Sequence, residues 1–182
     1  AALKFLRGEV DKRNLDRANF TKLARRAPDG TAALLPAYAG KFSLSSAPAG
    51  NMLFIDVNMR DPVLGRNKPL RQAIAAAIDA QAIVDVIWNG RGVPLGSVVP
   101  PDIAGNEQDT GAPPRRRDLA AAKRLLAEAG YPGGKGLAPL TVRLPSTDAD
   151  TRNEFDMIKA QLAQVGSAMA GSPAAFTQPV KT

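Results

Sequence analysis

Apolar residues along this chain recur in two rhythms, a helical one and an alternating one, and the switches between them divide it into elements. Leu3, Leu6 and Val10 fall at helical spacing and predict a short opening helix that stops near Gly8. Phe20 and Leu23 predict a second helix over Arg17 to Arg26, with Asp16 as its N-cap and Pro28-Asp29-Gly30 as the turn that follows. Leu34, Leu35 and Tyr38 then predict a strand, and the alternation at Phe42 and Leu44 predicts another. After the loop Ala47-Pro48-Ala49-Gly50, Met52 to Val57 reads as a strand. Its Leu53, Ile55 and Val57 share one face, while Met52, Phe54, Asp56 and Asn58 share the other. That second face mixes large apolar groups with an acid and an amide, which fits a half-exposed strand or one turned toward a ligand.

The longest apolar stripe runs from Pro69 to Trp88 through Leu70, Ile74, Ala77, Ile78, Ile83, Val84 and Ile87, and predicts a buried helix with proline in its first turn. Asp79 marks a break, so the stretch is one kinked helix or two. Asn89-Gly90-Arg91-Gly92 ends it. Residues 93–111 are rich in proline and glycine with little periodicity, and connections of that length are often functional. A further helix is predicted from Asp118 to Ala129, closed by Gly130 and by Pro132-Gly133-Gly134. Leu140, Val142 and Leu144 alternate as a strand. Phe155, Ile158, Leu162 and Val165 line one face of a helix over Thr151 to Val165, Gly166 ends it, and Ser167 to Ala170 starts another strand. Helices and strands mix throughout, which places the chain in the α/β class.

Composition narrows the chemistry. The 182 residues are 45% hydrophobic and 23% charged, in the globular range. With no cysteine there is no disulfide, thiolate nucleophile or Cys-ligated zinc; with no histidine the usual neutral-pH base and the commonest transition-metal ligand are missing. A carboxylate-dependent enzyme, for instance with Asp56 and Asp79, is the chemistry left open. No phosphate-cradling glycine fingerprint and no serine elbow is present. The net charge of +7 favours anionic partners. However, the basic residues are scattered apart from Arg115-Arg116-Arg117, and aromatics make up only 5%, which supports a solvated basic surface over a base-stacking one. A basic nucleic-acid-binding domain stays as an alternative. No apolar run is long enough to cross a bilayer, and Ala1 leads into a charged amphipathic stretch rather than a leader.

Several short segments occur in a specific order: Asp61-Pro-Val-Leu-Gly65, Leu70-Arg-Gln-Ala73, Ala77-Ile-Asp79, Asn89-Gly-Arg-Gly-Val-Pro94 and Ala120-Ala-Ala-Lys-Arg-Leu-Leu-Ala-Glu-Ala-Gly-Tyr-Pro-Gly-Gly134. With Leu6-Arg-Gly-Glu-Val-Asp11 before them, and Ile158 to Gly166 and Pro173-Ala-Ala-Phe176 after, the series resembles family 5 of the extracellular solute-binding proteins, the peptide and nickel receptors of ABC importers. The resemblance implies one lobe of a type II periplasmic-binding-protein-like clamp, a mixed sheet flanked by helices. It implies a partial chain, with residues 1–58 as a hinge-side segment with crossing strands, residues 59–182 as the body of the second lobe, and the first lobe absent. Two departures stand out. Arg117 replaces the tyrosine usual before the Asp118 helix, and Ser167-Ala168-Met169-Ala170 is less β-branched than the strand expected there.

The function implied is capture of peptides or similar small polar solutes in an interlobe cleft, and delivery to membrane permease subunits. The implied protein is periplasmic with its signal peptide outside this chain, a monomer at full length, not an enzyme, with no cofactor and no nucleic-acid partner. Carried over by position, the ligand-binding residues are Phe54, Asp56, Asn58, Trp88, Ser146 and Thr147. Each has a plainer alternative: Phe54 in the core, Asp56 and Asn58 on a half-exposed strand, Trp88 packed at a helix end, and Ser146 and Thr147 capping the helix after Asp148.

Overall fold

The computed structural model describes residues 2–47, 52–97, 99–100 and 114–173. In chain order its elements are α1 (Ala2–Leu6), α2 (Arg17–Leu23), β1 (Ala24–Arg26), β2 (Ala32–Leu34), α3 (Pro36–Ala39), α4 (Lys68–Ala77), α5 (Ala80–Ile87) and α6 (Leu119–Glu128). A single 3-10 turn at Pro132–Gly134 follows, then β3 (Leu140–Leu144), α7 (Ala149–Ala163) and β4 (Met169–Pro173). The chain forms two units, Ala1–Asn51 with Val84–Val93, and Met52–Ile83 with Pro94–Thr182; α5 begins in the second and ends in the first.

In the smaller unit, Asp16 caps α2 as expected, accepting from the Asn19 amide at 2.9 Å. The helix ends three residues earlier than its apolar spacing predicts. Ala24, Arg25 and Arg26 leave it to pair antiparallel with Leu34, Ala33 and Ala32, because the Pro28-Asp29-Gly30 turn folds the chain back on itself. The turn is closed by Ala27 N–H to Thr31 O at 2.7 Å and by Asp29, whose carboxylate accepts from the Thr31 hydroxyl and amide. Those bonds favour its charged form and lower the Asp29 pKa. The strand expected at Leu34, Leu35 and Tyr38 stops at Leu34. Pro36 fixes a helical φ and opens the short α3, which takes Tyr38 with it. Phe42 and Leu44 form no strand either; the Phe42 ring lies 4.7 Å from that of Phe5 and 6.1 Å from that of Tyr38. The stripe of the opening helix is turned outward, with Leu3, Leu6 and Val10 exposed. Among the described residues, Phe20, Leu23, Ala24 and Ile87 are the buried apolar ones of this unit.

The larger unit holds most of the core. Helices α4 and α6 lie against each other, and Ala73, Ala77 and Ala122, each almost wholly buried, let the two backbones come close. Leu70, Ala73 and Leu126 form one buried cluster, flanked by Leu64, Tyr131 and Leu137. Ala77, Ala122, Leu162, Val165 and Met169 form another, flanked by Leu140, Val142, Phe155 and Ile158. Strands β3 and β4 pair in parallel, Leu140 opposite Met169 through Leu144 opposite Pro173, with α7 as the crossover between them. This bears out the alternation at Leu140, Val142 and Leu144 and the apolar face of the following helix. The element assigned to Pro173-Ala-Ala-Phe176 lies, beyond Pro173, outside the described residues.

Helix Pro69 to Trp88 is two helices. Ile78 is extended, with φ −86° and ψ 129°, and Asp79 caps α5 by accepting from the Ala82 amide at 2.9 Å. The broken backbone finds partners from elsewhere. Gln161, only 5% exposed, accepts the Asp79 N–H at 2.8 Å. Arg117 donates to the Ala77 carbonyl at 3.0 Å and to Gln164 at 2.9 Å, and the Asp118 amide donates to the Ala76 carbonyl at 2.8 Å. Arg117 thus satisfies a carbonyl at the C-terminus of α4, where a positive charge also meets the negative end of the helix dipole.

Two helix ends are closed by left-handed glycines. Gly130 (φ 92°) lets the Tyr131 amide reach back to Leu126 O at 2.9 Å, and Gly166 (φ 88°) lets Ser167 reach Leu162 O at 3.1 Å. Gly134 (φ 80°) sits directly against the Gly166 backbone, so that a Cβ there would overlap the Gly166 carbonyl.

Two outcomes follow for chemical denaturation of the chain. Gln161→Leu should destabilise by about 1–3 kcal/mol despite adding apolar volume, because the partly buried Asp79 N–H loses its acceptor; equal or greater stability would show that this bond does not hold the joint. Gly134→Ala should cost about 2 kcal/mol more than Gly136→Ala. Both glycines have positive φ, but a Cβ at Gly136 meets nothing within 4 Å, so equal losses would remove the glycine contact from the account.

Candidate functional site

Met52 to Asn58 joins no β-sheet; the strand predicted there lacks a ladder partner among the described residues. Alternation can specify the faces of a strand, but pairing needs a neighbour with free backbone groups. Side chains on both faces of the segment are open to solvent: Leu53 is 64% exposed, Phe54 65% and Ile55 47%. Phe54 is therefore not a core residue. Asp56 is exposed as well.

Asn58 ends the segment and builds the turn that follows. Its Oδ1 accepts from the Arg60 amide at 3.0 Å and its carbonyl from Asp61 N–H at 3.0 Å. Asp61 repeats the device, accepting from the amides of Val63 and Leu64 at 2.9 and 2.7 Å. Gly65 closes this loop so tightly that a Cβ would lie 2.7 Å from Asp61 O. Arg71, one turn into α4, donates to the carbonyls of Leu64 and Gly65 at 2.6 and 2.9 Å. Asn67 caps α4 through Leu70 N–H and bonds the Ala129 carbonyl at 2.9 Å, tying the start of α4 to the end of α6. The loop that carries the exposed segment into the core is thus fixed at each step by side chain to backbone bonds.

Ser146 and Thr147 lie where β3 passes into α7. The Ser146 hydroxyl donates to the Asp148 carboxylate and accepts from the Asp148 amide at 3.0 Å. Asp148 in turn caps α7, accepting from Thr151 N–H at 2.8 Å. The Ser146 hydroxyl bond, then the Thr151 amide, hold the Asp148 carboxyl at about 2, so it stays ionised at the positive end of the helix. Ser146 thus takes part in the capping that was its plainer alternative. Thr147 is exposed beside it.

Trp88 belongs to the other unit. It is half-buried just past the end of α5, and its carbonyl accepts from the Arg91 backbone N–H at 3.0 Å and from Arg91 Nε at 3.1 Å. Arg91 also donates to Leu15 O at 2.7 Å and lies 4.9 Å above the centre of the Phe20 ring. The six predicted residues therefore occupy three stretches of chain: Phe54, Asp56 and Asn58 on the unpaired segment, Ser146 and Thr147 on the β3–α7 loop, and Trp88 after α5. Asp79, named with Asp56 as a carboxylate pair, is spent on the α5 cap. Among the described residues there is no group of three or more His, Cys, Asp or Glu able to hold a metal, and no helix long and apolar enough to cross a membrane. Sequence patterns did not reveal the bonding roles of Arg91, Arg117 and Gln161. Their partners are backbone carbonyls, backbone amides or residues distant in sequence, so no local spacing marks them.

Comparison with known proteins agrees with this architecture. The profile of bacterial extracellular solute-binding proteins, family 5 (middle part), matches residues 1–170. The glutathione-binding protein GsiB of Salmonella typhi is 33% identical over 123 residues, which are 68% of this chain and 23% of GsiB. Protein XP55 of Streptomyces lividans is 40% identical over 90 residues, 45% of this chain and 16% of that protein. The chain thus spans less than a quarter of the curated relatives it matches. In structure, a periplasmic oligopeptide-binding protein of Thermotoga maritima bound to mannohexaose aligns with a TM-score of 0.55 at 19% identity, covering 96% of this chain and 34% of that one. The substrate-binding protein CtaP of Listeria monocytogenes aligns at 0.53 and 22% identity, covering 64% and 23%. Both likenesses are of fold: an α/β lobe of the periplasmic-binding-protein kind. The matching profile describes solute-binding proteins. By a profile match over nearly its whole length, this chain belongs to family 5 of the bacterial extracellular solute-binding proteins.

Proposed function

We propose that this chain supplies the hinge-side segment and the body of one lobe of a receptor that captures peptides or similar small polar solutes and delivers them to the membrane permease of an ABC importer. The observation that carries the reading is the exposed, unpaired Met52–Asn58 segment, which presents an aromatic ring and a carboxylate two residues apart. Family membership supports it, as does a relative named for binding glutathione, itself a small peptide. Such a receptor works by population shift: a ligand that touches both lobes stabilises the closed form by its extra contacts there. The protein acts by binding alone, in the periplasm, as a monomer, with no cofactor, metal or nucleic acid.

In this reading Phe54 covers an apolar part of the ligand and Asp56 draws a cationic group. Asn58 and Ser146 hold the flanking turns while keeping contact with the ligand, Asn58 through its amide N–H. Thr147 offers its hydroxyl, and Trp88 its indole ring. The turns beneath these groups are already satisfied by Asp61, Arg71 and Asp148, so little ordering cost remains to be met on binding.

Calorimetric titration of the intact gene product with glutathione and a panel of short peptides tests this. Asp56→Ala should weaken binding of cationic peptides by about tenfold, equivalent to about 1.4 kcal/mol, and leave neutral ones unchanged. Phe54→Ala should weaken the whole panel. Unchanged affinities in both variants would remove the segment from the site, and no binding by the unaltered protein would remove the peptide reading.

A further inference from the structure

Asn89-Gly90 is the only Asn-Gly pair in the chain, and it closes the C-terminal end of α5 just past Trp88. Three features there bear on its chemistry. Asn89 is held in the left-handed region at φ 53°, followed by Gly90 at φ 71°. The Gly90 N–H donates to the Val84 carbonyl at 2.9 Å. The Asn89 Nδ2 is buried with no hydrogen-bond partner. The Arg26 guanidinium braces the cap from outside: a Cβ at Gly90 would lie 2.7 Å from Arg26 Cζ, and Arg26 also pairs with Asp85 at 3.3 Å and bonds Gly30 O at 3.3 Å.

We propose that Asn89 is a deamidation site gated by this cap. In the reaction the Gly90 backbone nitrogen gives up its proton and attacks Asn89 Cγ. A Cγ–N bond forms and the Cγ–Nδ2 bond breaks, with Nδ2 leaving as ammonia that carries the proton away. Water then opens the cyclic imide at either carbonyl to give aspartate or isoaspartate, so that the net change is water consumed and ammonia released. Glycine makes the attack easy because it has no side chain to hinder the incoming nitrogen. The closed cap opposes each step: the nucleophile's N–H is engaged with Val84, the backbone is held in a left-handed turn, and the leaving nitrogen is shielded from water. The cap is also poised to open, because closing it leaves a buried amide unpartnered. Local opening of the α5 end is therefore the step that admits the chemistry.

The product would alter the stretch that holds Trp88. Isoaspartate routes the main chain through the side chain and inserts one extra methylene between Trp88 and Arg91. The two bonds from Arg91 to the Trp88 carbonyl depend on that spacing. Trp88 is the only tryptophan in the chain, so its emission reports on this segment alone.

The test is peptide mapping by mass spectrometry of the whole chain, incubated at mildly alkaline pH and body temperature, with and without concentrated urea. The peptide containing Asn89 should gain about 1 Da at least about tenfold more slowly in buffer than in urea. Arg26→Ala should narrow that gap, and modified chain should show a shifted Trp88 emission. Equal rates in buffer and urea would overturn the gating, and no mass gain at Asn89 in urea would overturn the site itself. The urea comparison stands even if the Arg26 variant folds poorly.

Discussion

The larger unit depends on how the broken backbone between α4 and α5 is satisfied. A helix that stops inside a protein leaves carbonyls at one end and amides at the other, and these lose free energy if they are buried without partners. Here the break at Ile78 and Asp79 draws in side chains from two further elements. Gln161 of α7 accepts the Asp79 amide, and Arg117, just before α6, donates to the Ala77 carbonyl and to Gln164. One joint therefore fixes four helices, and the alanines at 73, 77 and 122 allow α4 and α6 to meet beside it. The apolar clusters supply most of the driving force, whereas these bonds select which arrangement of the helices satisfies the backbone.

The same economy explains the candidate site. The polar residues around it act first on the backbone: Asn58 and Asp61 on successive turns, Arg71 on the loop carbonyls, Ser146 and Asp148 on the start of α7. A receptor gains affinity when the groups that meet its ligand need no further ordering. The residues left exposed on such a frame, Phe54 and Asp56 above all, are then available for recognition.

Reading the chain locally worked where the information is local. The Asp16 cap, the glycine stops at 130 and 166, the alternation of β3 and the apolar face of α7 all lie within a few residues, and each matches the structure. It failed where a neighbour decides. Ala24 to Arg26 continue a helical pattern but pair with Ala32 to Leu34 because a turn brings that segment alongside. Tyr38 and Phe42 belong to two predicted strands but join Phe5 in an aromatic cluster after Pro36 starts a helical turn. Leu53 to Val57 alternate well and find no ladder partner among the described residues.

By itself, then, the sequence determined the α/β class, the helix boundaries that carry their own caps, and the family, since ordered short segments and periodicity are properties of the chain read in one dimension. Only the tertiary structure decided that Asp79 divides two helices and belongs to their joint, that Arg117 closes α4, that Ser146 is engaged by Asp148, and that the segment bearing Phe54 and Asp56 is open to solvent. The physical reason is the same in each case. Exposure and polar partnership depend on groups that lie up to about eighty residues away along the chain, as with Asp79 and Gln161, and no local pattern records which of them folding will bring within hydrogen-bond distance.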